Sequence, residues 1–383
     1  MDFSISSEQK EFATQFEKFC QERIAPRSTQ VDSAGELSRE NWADLIEMGY
    51  FQLYYPPELG GIGADFVMKA MAEESLSKAC ASTFLSAGAS IGLAGGPIFH
   101  FGSAAQHEKW LKPLMSGKTI GCFALTEPGA GTDAASIRCR AVKSGDRFIL
   151  NGEKALITNA PLADMAIVMA VTDPDAGPGG VTAFAVDLHA DGVTRSAPYQ
   201  KMGLRGSPTG GITFEDVELS VDDVVGAEGA GFVQAMQILE HGRISMSHFG
   251  IGIAEAALEA SMKYASERQA FGKSIARLQA VHFKIADMKI ELDTARLMAR
   301  QVASLSSQGK PCSELASISK LYATEMAVRT TDRAVQIHGG WGYTNDFSVE
   351  RLYRDARLGP IGEGTSEIQR ELIARAVLDE ARL

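Results

Sequence analysis

The strongest constraint in this sequence is a hydrophobic period that changes twice along the chain. Up to about residue 118, apolar residues recur every three or four positions, as in amphipathic helices. From about 119 to 232, short apolar runs alternate with turn-forming residues, and no long helical pattern interrupts them. The sequence therefore predicts an α+β multidomain protein: an N-terminal helical domain (1–118), a middle antiparallel β-barrel or sandwich (119–232) and a C-terminal four-helix bundle (233–383).

Glycine and proline mark the predicted ends of the elements. The predicted helices are 8–24, 41–48, 66–77, 81–93, 103–114, 235–267, 278–306, 313–338 and 366–380, and the predicted strands are 120–126, 147–150, 153–158, 165–171, 181–188 and 211–217. Gly95-Gly96-Pro97 is expected to break the chain between helices. Asn151-Gly152 is the strongest short hairpin signal and predicts a two-residue turn.

Charge and composition exclude several classes of protein. The net charge of −11 argues against a nucleic-acid partner, which would require a basic face. The five cysteines show no Cys-x-x-Cys spacing, which is typical of reduced residues in a cytoplasmic compartment. No His-Glu-x-x-His occurs, so no metal site is expected. No apolar run reaches transmembrane length and Met1-Asp2-Phe3 opens no signal peptide, so no membrane partner is expected and a bacterial cytosol fits best.

Glu363 is the candidate catalytic residue. It stands between Gly362 and Gly364, just before a helix that Thr365 or Ser366 can cap, and Ser366 with Gln369 fits a capping box. The glycines present its carboxylate on a sharply turning backbone that a ligand can approach closely. The alternative is structural, because an acid near a helix N-terminus is stabilised by the helix dipole.

A second candidate site is the segment Thr126-Glu127-Pro128-Gly129-Ala130-Gly131-Thr132-Asp133, which directly follows a predicted strand. Its glycines let backbone N–H groups face a phosphate, and Thr126 and Thr132 offer hydroxyls. A plain glycine turn is the alternative. The segment lacks Gly-x-Gly-x-x-Gly spacing and a βαβ context, which argues against a nicotinamide site.

Three further segments suit a flat ligand with a phosphate, although each also has a structural explanation. Thr158, which ends a predicted strand, could donate to a heterocycle, or it could simply favour the strand. Arg268 lies beside Phe271 at a predicted helix end, where an arginine also interacts favourably with the helix dipole. Gln336-Ile337-His338-Gly339-Gly340-Trp341-Gly342-Tyr343 combines glycines with aromatic residues, but a lone His338 is more often a satisfied core residue.

In this order, the motifs closely resemble the acyl-CoA dehydrogenases over essentially the whole chain. The matching patterns are Pro-Glu-x-Gly-Gly-x-Gly at 57–63, Thr-Glu-Pro-Gly-Ala-Gly at 126–131, Asn-Gly-x-Lys at 151–154, Arg-x-x-Phe-Gly at 268–272, Gln-x-x-Gly-Gly-x-Gly-Tyr at 336–343 and Glu-Gly-Thr-Ser-Glu-Ile-Gln at 363–369.

The resemblance implies non-covalently bound FAD in a homotetramer that is a dimer of dimers. It places Phe123, Leu125, Thr126, Gly131 and Thr132 along the flavin and its pyrophosphate, Leu156 and Thr158 at the isoalloxazine, and Thr365 and Glu367 over the cofactor. It directs Arg268, Phe271, Gln279, Gln336, Gly339 and Gly340 to the cofactor of a neighbouring subunit. It assigns substrate contacts to Thr132, Glu240, Arg243 and Gly364.

The implied reaction is the dehydrogenation of an acyl-CoA in fatty acid metabolism. Glu363 would remove the pro-R α-hydrogen, the β-hydrogen would leave as hydride to flavin N5, and the product would be a trans-2-enoyl thioester. Electron-transferring flavoprotein is the implied acceptor. We expect an apolar cleft to raise the pKa of Glu363, with the adjacent helix N-terminus opposing this.

Some family members carry the base just before an arginine in the first long C-terminal helix. That position is Gly242 here, before Arg243, so the resemblance assigns the base to Glu363, with Glu240 as the fallback. Three positions depart from the family: Gly362 replaces a usual tyrosine, Leu156 a usual aromatic residue, and Thr132 a serine. The alternative substrate is therefore a branched or cyclic acyl group, or an acyl or aminoacyl group tethered to a carrier protein.

Other functions on the same scaffold remain open. An oxidase would pass electrons to oxygen instead. A flavin-containing binding protein of the DNA-associated branch would need a basic surface, and a silent subunit of a hetero-oligomer would not need Glu363.

Overall fold

The structure is a computed structural model that describes residues 5–380, so Met1-Asp2-Phe3 lies outside the described residues. The N-terminal helices are α1 (Ser7–Phe19), α2 (Ser28–Ala34), α3 (Arg39–Glu47), α4 (Phe66–Gly88), α5 (Gly95–Phe101), α6 (Ala104–Gln106) and α7 (Lys112–Met115). A capping box starts α1: the Ser6 hydroxyl accepts from the N–H of Gln9, whose side chain accepts from the N–H of Ser6.

The helical run from Phe66 to Phe101 agrees with the prediction at one point and differs from it at two. The two helices expected between 66 and 93 meet at a kink where Cys80 leaves helical geometry (φ −158°, ψ 97°), so the break predicted between 77 and 81 is confirmed. Gly95-Gly96-Pro97 does not break the chain but begins α5, because a proline in the first helical turn gives up no intrahelical hydrogen bond. The run is also long and apolar enough by composition to span a membrane, contrary to the prediction, but more than half of its most apolar stretch is buried in the protein.

The middle region forms one curled sheet. Its strands are β1 (Gly121–Ala124), β2 (Arg140–Ser144), β3 (Arg147–Thr158), β4 (Met165–Val171), β5 (Val181–Asp187), β6 (Val193–Arg195) and β7 (Thr209–Ser220). The strand order is β1-β4-β2-β3-β7-β6, with β5 paired to β4. The pairing is mostly antiparallel, but β1 runs parallel to β4, and β2 meets β4 in parallel at Arg140 and Val171. Nearly every residue of β4 is buried, as expected for a strand covered on both faces.

The hairpin turn predicted at Asn151-Gly152 is wrong, because β3 continues through it and the true turn lies at Gly145, between β2 and β3. Asn151-Gly152 instead forms an irregularity in the pairing with β7. The Asn151 side chain donates to the Asp216 carboxylate at 2.9 Å and accepts from the Asp216 N–H at 2.9 Å. Gly152 has φ +139°, and a Cβ there would stand 2.7 Å from Cα of Cys139, so only glycine fits.

The C-terminal region consists of long helices and one short hairpin. They are α8 (Gly231–Glu267), β8 (Gln269–Ala270), β9 (Lys273–Ser274), α9 (Gln279–Ser307), α10 (Ser313–His338), α11 (Val349–Ala356) and α12 (Ser366–Glu380). Four of these helices agree closely with the predicted ones, whereas α11 was not predicted.

Helix α8 lies at the centre of the helical packing. A Cβ on Gly250 would stand 2.7 Å from the Ala323 carbonyl oxygen of α10, and one on Gly252 would stand 2.4 Å from the Glu74 carbonyl oxygen of α4. The Glu74 carboxylate bonds His248 of α8 and Arg296 of α9, each at 3.0 Å. Burial opposes its charge, but these partners lower the pKa of Glu74 to about 2. The helix that carries Gly242 is therefore fixed on three sides.

Candidate active site

Glu363 lies in a strained loop that leads into α12. Its φ is +54° and that of Gly364 is +91°, and a positive φ at a non-glycine residue is uncommon. The Lys320 ammonium donates to the Gly364 carbonyl at 2.7 Å, and the Gln369 side chain donates to the carbonyls of Glu363 and Gly364 at 3.3 Å. Strain held by such contacts clusters at functional sites.

The capping of α12 confirms one of the two predicted residues, whereas the predicted capping box is wrong. The Thr365 hydroxyl accepts from the Ile368 N–H at 3.4 Å, which makes Thr365 the cap. The Ser366 hydroxyl is buried and has no hydrogen-bond partner among residues 5–380, so the Ser366–Gln369 capping box does not form. Gln369 stabilises the preceding loop instead.

The Glu363 side chain reaches across to α8 and meets Gly242. A Cβ built on Gly242 would stand 1.7 Å from Oε2 of Glu363, so the carboxyl group occupies the space that any other residue would fill. This oxygen is buried and, within the described part of the chain, has no hydrogen-bond partner. A buried acceptor without a partner is unfavourable unless a ligand or a reacting group uses it.

Burial is the largest influence on this carboxyl group and raises the pKa of Glu363 to about 7, with Lys320 as the main opposing charge. Burial in turn lowers the pKa of Lys320 to about 8. Arg243, next to Gly242, has a pKa lowered by burial, and its Nε is buried without a partner in the range 5–380. A carboxyl group with this pKa can exchange a proton near neutral pH.

Sequence reasoning missed three charged residues at this site. Lys320 lies within α10, and Lys69 and Glu73 lie one turn apart on α4. The sequence pattern that could have identified them is a charged residue at a helix position whose neighbours are apolar. Such a residue is expected to be buried, and Lys and Glu are rarely fully buried without a function or a partner.

The predicted flavin segments after β1 and at the end of β3 lie together. The Lys154 ammonium donates to the Leu125 carbonyl at 3.0 Å and to the Glu127 carboxylate at 2.8 Å. Glu127 also accepts from the N–H groups of Arg138 and Cys139 at 2.7 and 3.0 Å. The Ala155 N–H bonds the Thr126 carbonyl at 3.0 Å, which brings the segment that contains Phe123, Leu125, Thr126, Gly131 and Thr132 next to Leu156 and Thr158.

The surface formed by the loop after β1 and the end of β3 is open to a ligand. A Cβ on Gly129 or Gly131 would meet nothing within 4 Å. Leu156 is 66 % exposed and has φ +58°, which is unusual for a large apolar residue. An open glycine backbone beside an exposed apolar side chain suits a phosphate attached to a flat ring.

Arg268, Phe271 and Gln279 do not join Glu363 within one chain. They follow the C-terminus of α8, about 25 residues and roughly 38 Å of helix beyond Gly242. Gln336, Gly339 and Gly340 end α10 at the same end of the molecule, as shown by the stacking of His338 on Tyr264 at 4.2 Å between ring centroids. His338 is buried and its Nδ1 bonds the Ala334 carbonyl at 2.8 Å, which supports the structural interpretation of this residue.

The other predicted residues lie around the Glu363 loop. Thr365 and Glu367 border an open cavity of about 490 Å³ that Arg329 and Arg357 also line. Gly364 belongs to the loop itself, and Glu240 lies on α8 close to Gly242.

Comparisons with known proteins match this architecture throughout. Family models match the acyl-CoA dehydrogenase N-terminal domain at residues 6–118, the middle domain at 122–217 and the C-terminal domain at 229–378. The chain belongs to the acyl-CoA dehydrogenase family. It is 43% identical to the probable acyl-CoA dehydrogenase YngJ of Bacillus subtilis, over 99% of this chain and 100% of that protein.

Two other relatives inform the chemistry of this acyl-CoA dehydrogenase. The caffeyl-CoA reductase-Etf complex subunit CarC of Acetobacterium woodii is 42% identical over 91% of this chain and 92% of that protein. The solved structure of butyryl-CoA dehydrogenase from Megasphaera elsdenii superposes with a TM-score of 0.95 and 38% identity, covering 99% of this chain and 100% of that chain. Acyl-CoA dehydrogenases are FAD-dependent oxidoreductases, and the open glycine surface beside Leu156 fits that cofactor.

Proposed function

We propose that this acyl-CoA dehydrogenase removes the α- and β-hydrogens of an acyl thioester to give the trans-2-enoyl thioester, with Glu363 as the base. The observation that carries the proposal is the buried, unpartnered Oε2 of Glu363, held against Gly242. Burial raises the pKa of this carboxyl group to about 7, which strengthens it as a base at neutral pH.

The surroundings of Glu363 support this role. Arg243 and Lys320 place positive charge near the carboxylate, and a positive field also stabilises the negative charge that develops on a thioester as its α-proton leaves. The alternative base position holds Gly242, which has no side chain and leaves room for the Glu363 carboxyl group. Glu240 is half-buried and lacks the close contact that Glu363 makes.

FAD, when bound, supplies the acceptor for the β-hydride. The residues that would hold it are those of the β1 loop and the end of β3, with Thr126 and Thr132 as hydroxyl donors and Gly129 and Gly131 as open backbone. The buried Lys154–Glu127 pair keeps the two segments together, with Nζ and Oε1 2.8 Å apart.

Electron-transferring flavoprotein is the proposed electron acceptor, and the similarity to a subunit of the caffeyl-CoA reductase-Etf complex supports this proposal. A homotetramer would supply Arg268, Phe271, Gln279, Gln336, Gly339 and Gly340 of one subunit to the cofactor of another. These residues lie beyond the end of α8, roughly 38 Å of helix from Gly242, which supports a role outside the Glu363 site of their own chain. A cytoplasmic location and a role in fatty acid metabolism complete the proposal.

The experiment that tests this function is an anaerobic titration of the purified holoenzyme with straight, branched and cyclic acyl-CoA thioesters. We expect at least one thioester to bleach the visible flavin band. A yellow protein that no CoA ester bleaches would contradict acyl-CoA dehydrogenation and would favour an acyl or aminoacyl group on a carrier protein. A protein that cannot take up FAD would contradict the proposed cofactor site.

A further inference from the structure

A cluster of buried charged side chains, Lys69 and Glu73, lies beside the Glu363 carboxyl group where α4 packs on α8, and is called the charged cluster below. The Lys69 and Glu73 side chains are 9 % and 3 % exposed, which is rare for charged residues. Nζ of Lys69 is 4.0 Å from Oε1 of Glu73, beyond hydrogen-bond distance. The ammonium also lies 4.2 Å from the centroid of the Tyr54 ring and 5.0 Å from that of Phe66.

Neighbouring hydroxyls hold the Glu73 carboxylate in place, and one of its oxygens can still accept a hydrogen bond. The hydroxyls of Tyr54 and Ser245 donate to its Oε1 at 2.6 and 2.7 Å. Its Oε2 is buried, with no hydrogen-bond partner in the described chain. A buried carboxylate held by two hydroxyls cannot rotate freely, so it restrains the position of the neighbouring Lys69 ammonium.

The charged cluster adjoins the proposed base. Ser245 is three residues after Gly242 on α8, so the two lie on one face of the helix within a single turn of about 5.4 Å. Gly242 contacts the Glu363 carboxyl group and Ser245 contacts Glu73, which places the cluster next to the base. After burial and Lys320, the charges of Glu73 and Lys69 are among the influences on the pKa of Glu363.

Two histidine side chains, His241 and His100, lie next to the charged cluster. The rings of His241 and His100 are 5.6 Å apart between centroids, and His241 is also 5.6 Å from the Phe66 ring. Burial, followed by the charge of Lys69, lowers the pKa of His241 to about 4. His241 is therefore neutral at pH 7, and its ring N–H can donate a hydrogen bond without adding charge.

The charges in this region favour an anion once Glu363 is protonated. Three cations face three carboxyl groups: Lys69, Arg243 and Lys320 against Glu73, Glu240 and Glu363. When Glu363 accepts a proton it becomes neutral, and the positive charges then outnumber the negative ones. Within residues 5–380, the structure gives Lys69 no hydrogen bond to an acceptor, only the 4.0 Å ion pair and the two rings. A plain alkyl group here would desolvate the ammonium and offer it nothing in return.

We propose that the acyl group of the substrate carries a distal carboxylate, which the Lys69 ammonium binds while Glu73 holds Lys69 in place. The substrate class is a short ω-carboxyacyl thioester, since Gly242 beside the base and Ser245 beside the charged cluster lie within one turn of α8. This inference rests on the proposed dehydrogenation at Glu363, but it concerns recognition and can be measured without turnover.

The test compares valeryl-CoA, glutaryl-CoA, 5-hydroxyvaleryl-CoA and 5-aminovaleryl-CoA, which share a five-carbon acyl chain and differ at its end. Binding is measured by calorimetry on the Glu363→Gln holoenzyme, which does not turn the esters over under the proposed mechanism. We expect glutaryl-CoA to bind about ten- to hundredfold more tightly than valeryl-CoA, as for a hydrogen bond to a charged group.

The variants Lys69→Met and Lys69→Arg test the assigned residue. In Lys69→Met the ratio of glutaryl-CoA to valeryl-CoA affinity should fall close to one, and in Lys69→Arg much of the preference should remain. Lys78→Met is the matched control, because Lys78 lies on the same helix but pairs with Glu17 and Glu259, and it should leave the ratio unchanged.

Several outcomes would overturn the inference. Equal binding of valeryl-CoA and glutaryl-CoA by the parent protein would do so even if no Lys69 variant folds. Tighter binding of the hydroxyl or ammonium ester would show that the end of the acyl chain is bound by the Glu73 carboxylate and not by Lys69. The proposed function fails separately, if glutaryl-CoA binds the wild-type holoenzyme tightly and neither it nor any other ester bleaches the flavin.

Discussion

At the scale of single residues, two opposing influences determine the behaviour of Glu363. Burial makes its charged form unfavourable, and the Lys320 ammonium makes it favourable. The sequence predicted the raised pKa and the loop, but it attributed the opposing effect to the helix N-terminus. The main opposing charge comes from a lysine 43 residues earlier in the chain, and no local pattern could reveal that contact.

The pH dependence of flavin reduction tests this pair. Because Glu363 must be deprotonated to act as a base, the reduction rate should rise with pH and reach half its maximum near pH 7. Lys320 lowers the pKa of Glu363, so in Lys320→Met the midpoint should move to higher pH. Lys320→Arg keeps the charge and should keep the midpoint. A Lys320→Met midpoint that stays unchanged or moves to lower pH would refute the assigned influence.

At the scale of elements, the sequence predicted most helices and strands because their hydrophobic periods are long and regular. It failed where local turn chemistry competes with tertiary packing. Asn151-Gly152 has ideal hairpin composition, yet the close approach of Cys139 and the pairing of Asn151 with Asp216 hold it inside β3. Gly95-Gly96-Pro97 begins α5 and does not break the chain, because a proline is tolerated in the first turn of a helix and the segment packs in the core.

The assignment of Gly152 predicts a measurable loss of stability. In Gly152→Ala the new Cβ would clash with Cys139 and the residue would keep φ near +139°, so we expect the free energy of unfolding to fall by roughly 2–4 kcal/mol. Gly145→Ala is the control: its φ is +65° but its Cβ would meet nothing, so the cost should be about 1 kcal/mol. Denaturant unfolding of the two variants measures the difference, and equal losses would argue against the packing explanation.

At the scale of the whole molecule, the predicted site residues divide into two groups at opposite ends of α8. Gly242 and the Glu363 loop contact each other in one chain. The residues after Glu267 lie about 25 residues of helix beyond Gly242, and Phe271 and Tyr343 there are each 90 % exposed. Large exposed aromatic side chains beside glycines whose backbone is open to solvent are typical of an interaction surface. The sequence separated these motifs without showing how far apart they lie.

Light scattering and flavin content test the assembly. We expect four copies of the 41.0 kDa chain, about 164 kDa. Phe271→Ala should yield smaller assemblies that retain less FAD, whereas Val142→Ala, which shortens an exposed side chain on β2, should change neither. A wild-type monomer with a full complement of FAD would rule out a shared cofactor site.

The central claim is that Glu363 is the base, and rapid-mixing measurement of flavin reduction in Glu363→Gln tests it most directly. The exchange removes the carboxylate and preserves the size of the side chain. We expect wild-type FAD content and a reduction rate lower by about 10²- to 10⁴-fold with the best thioester of the panel, while Glu240→Gln reduces at close to the wild-type rate. Reduction of Glu363→Gln at the wild-type rate would show that the proton leaves by another route, and the account of this site would then be wrong.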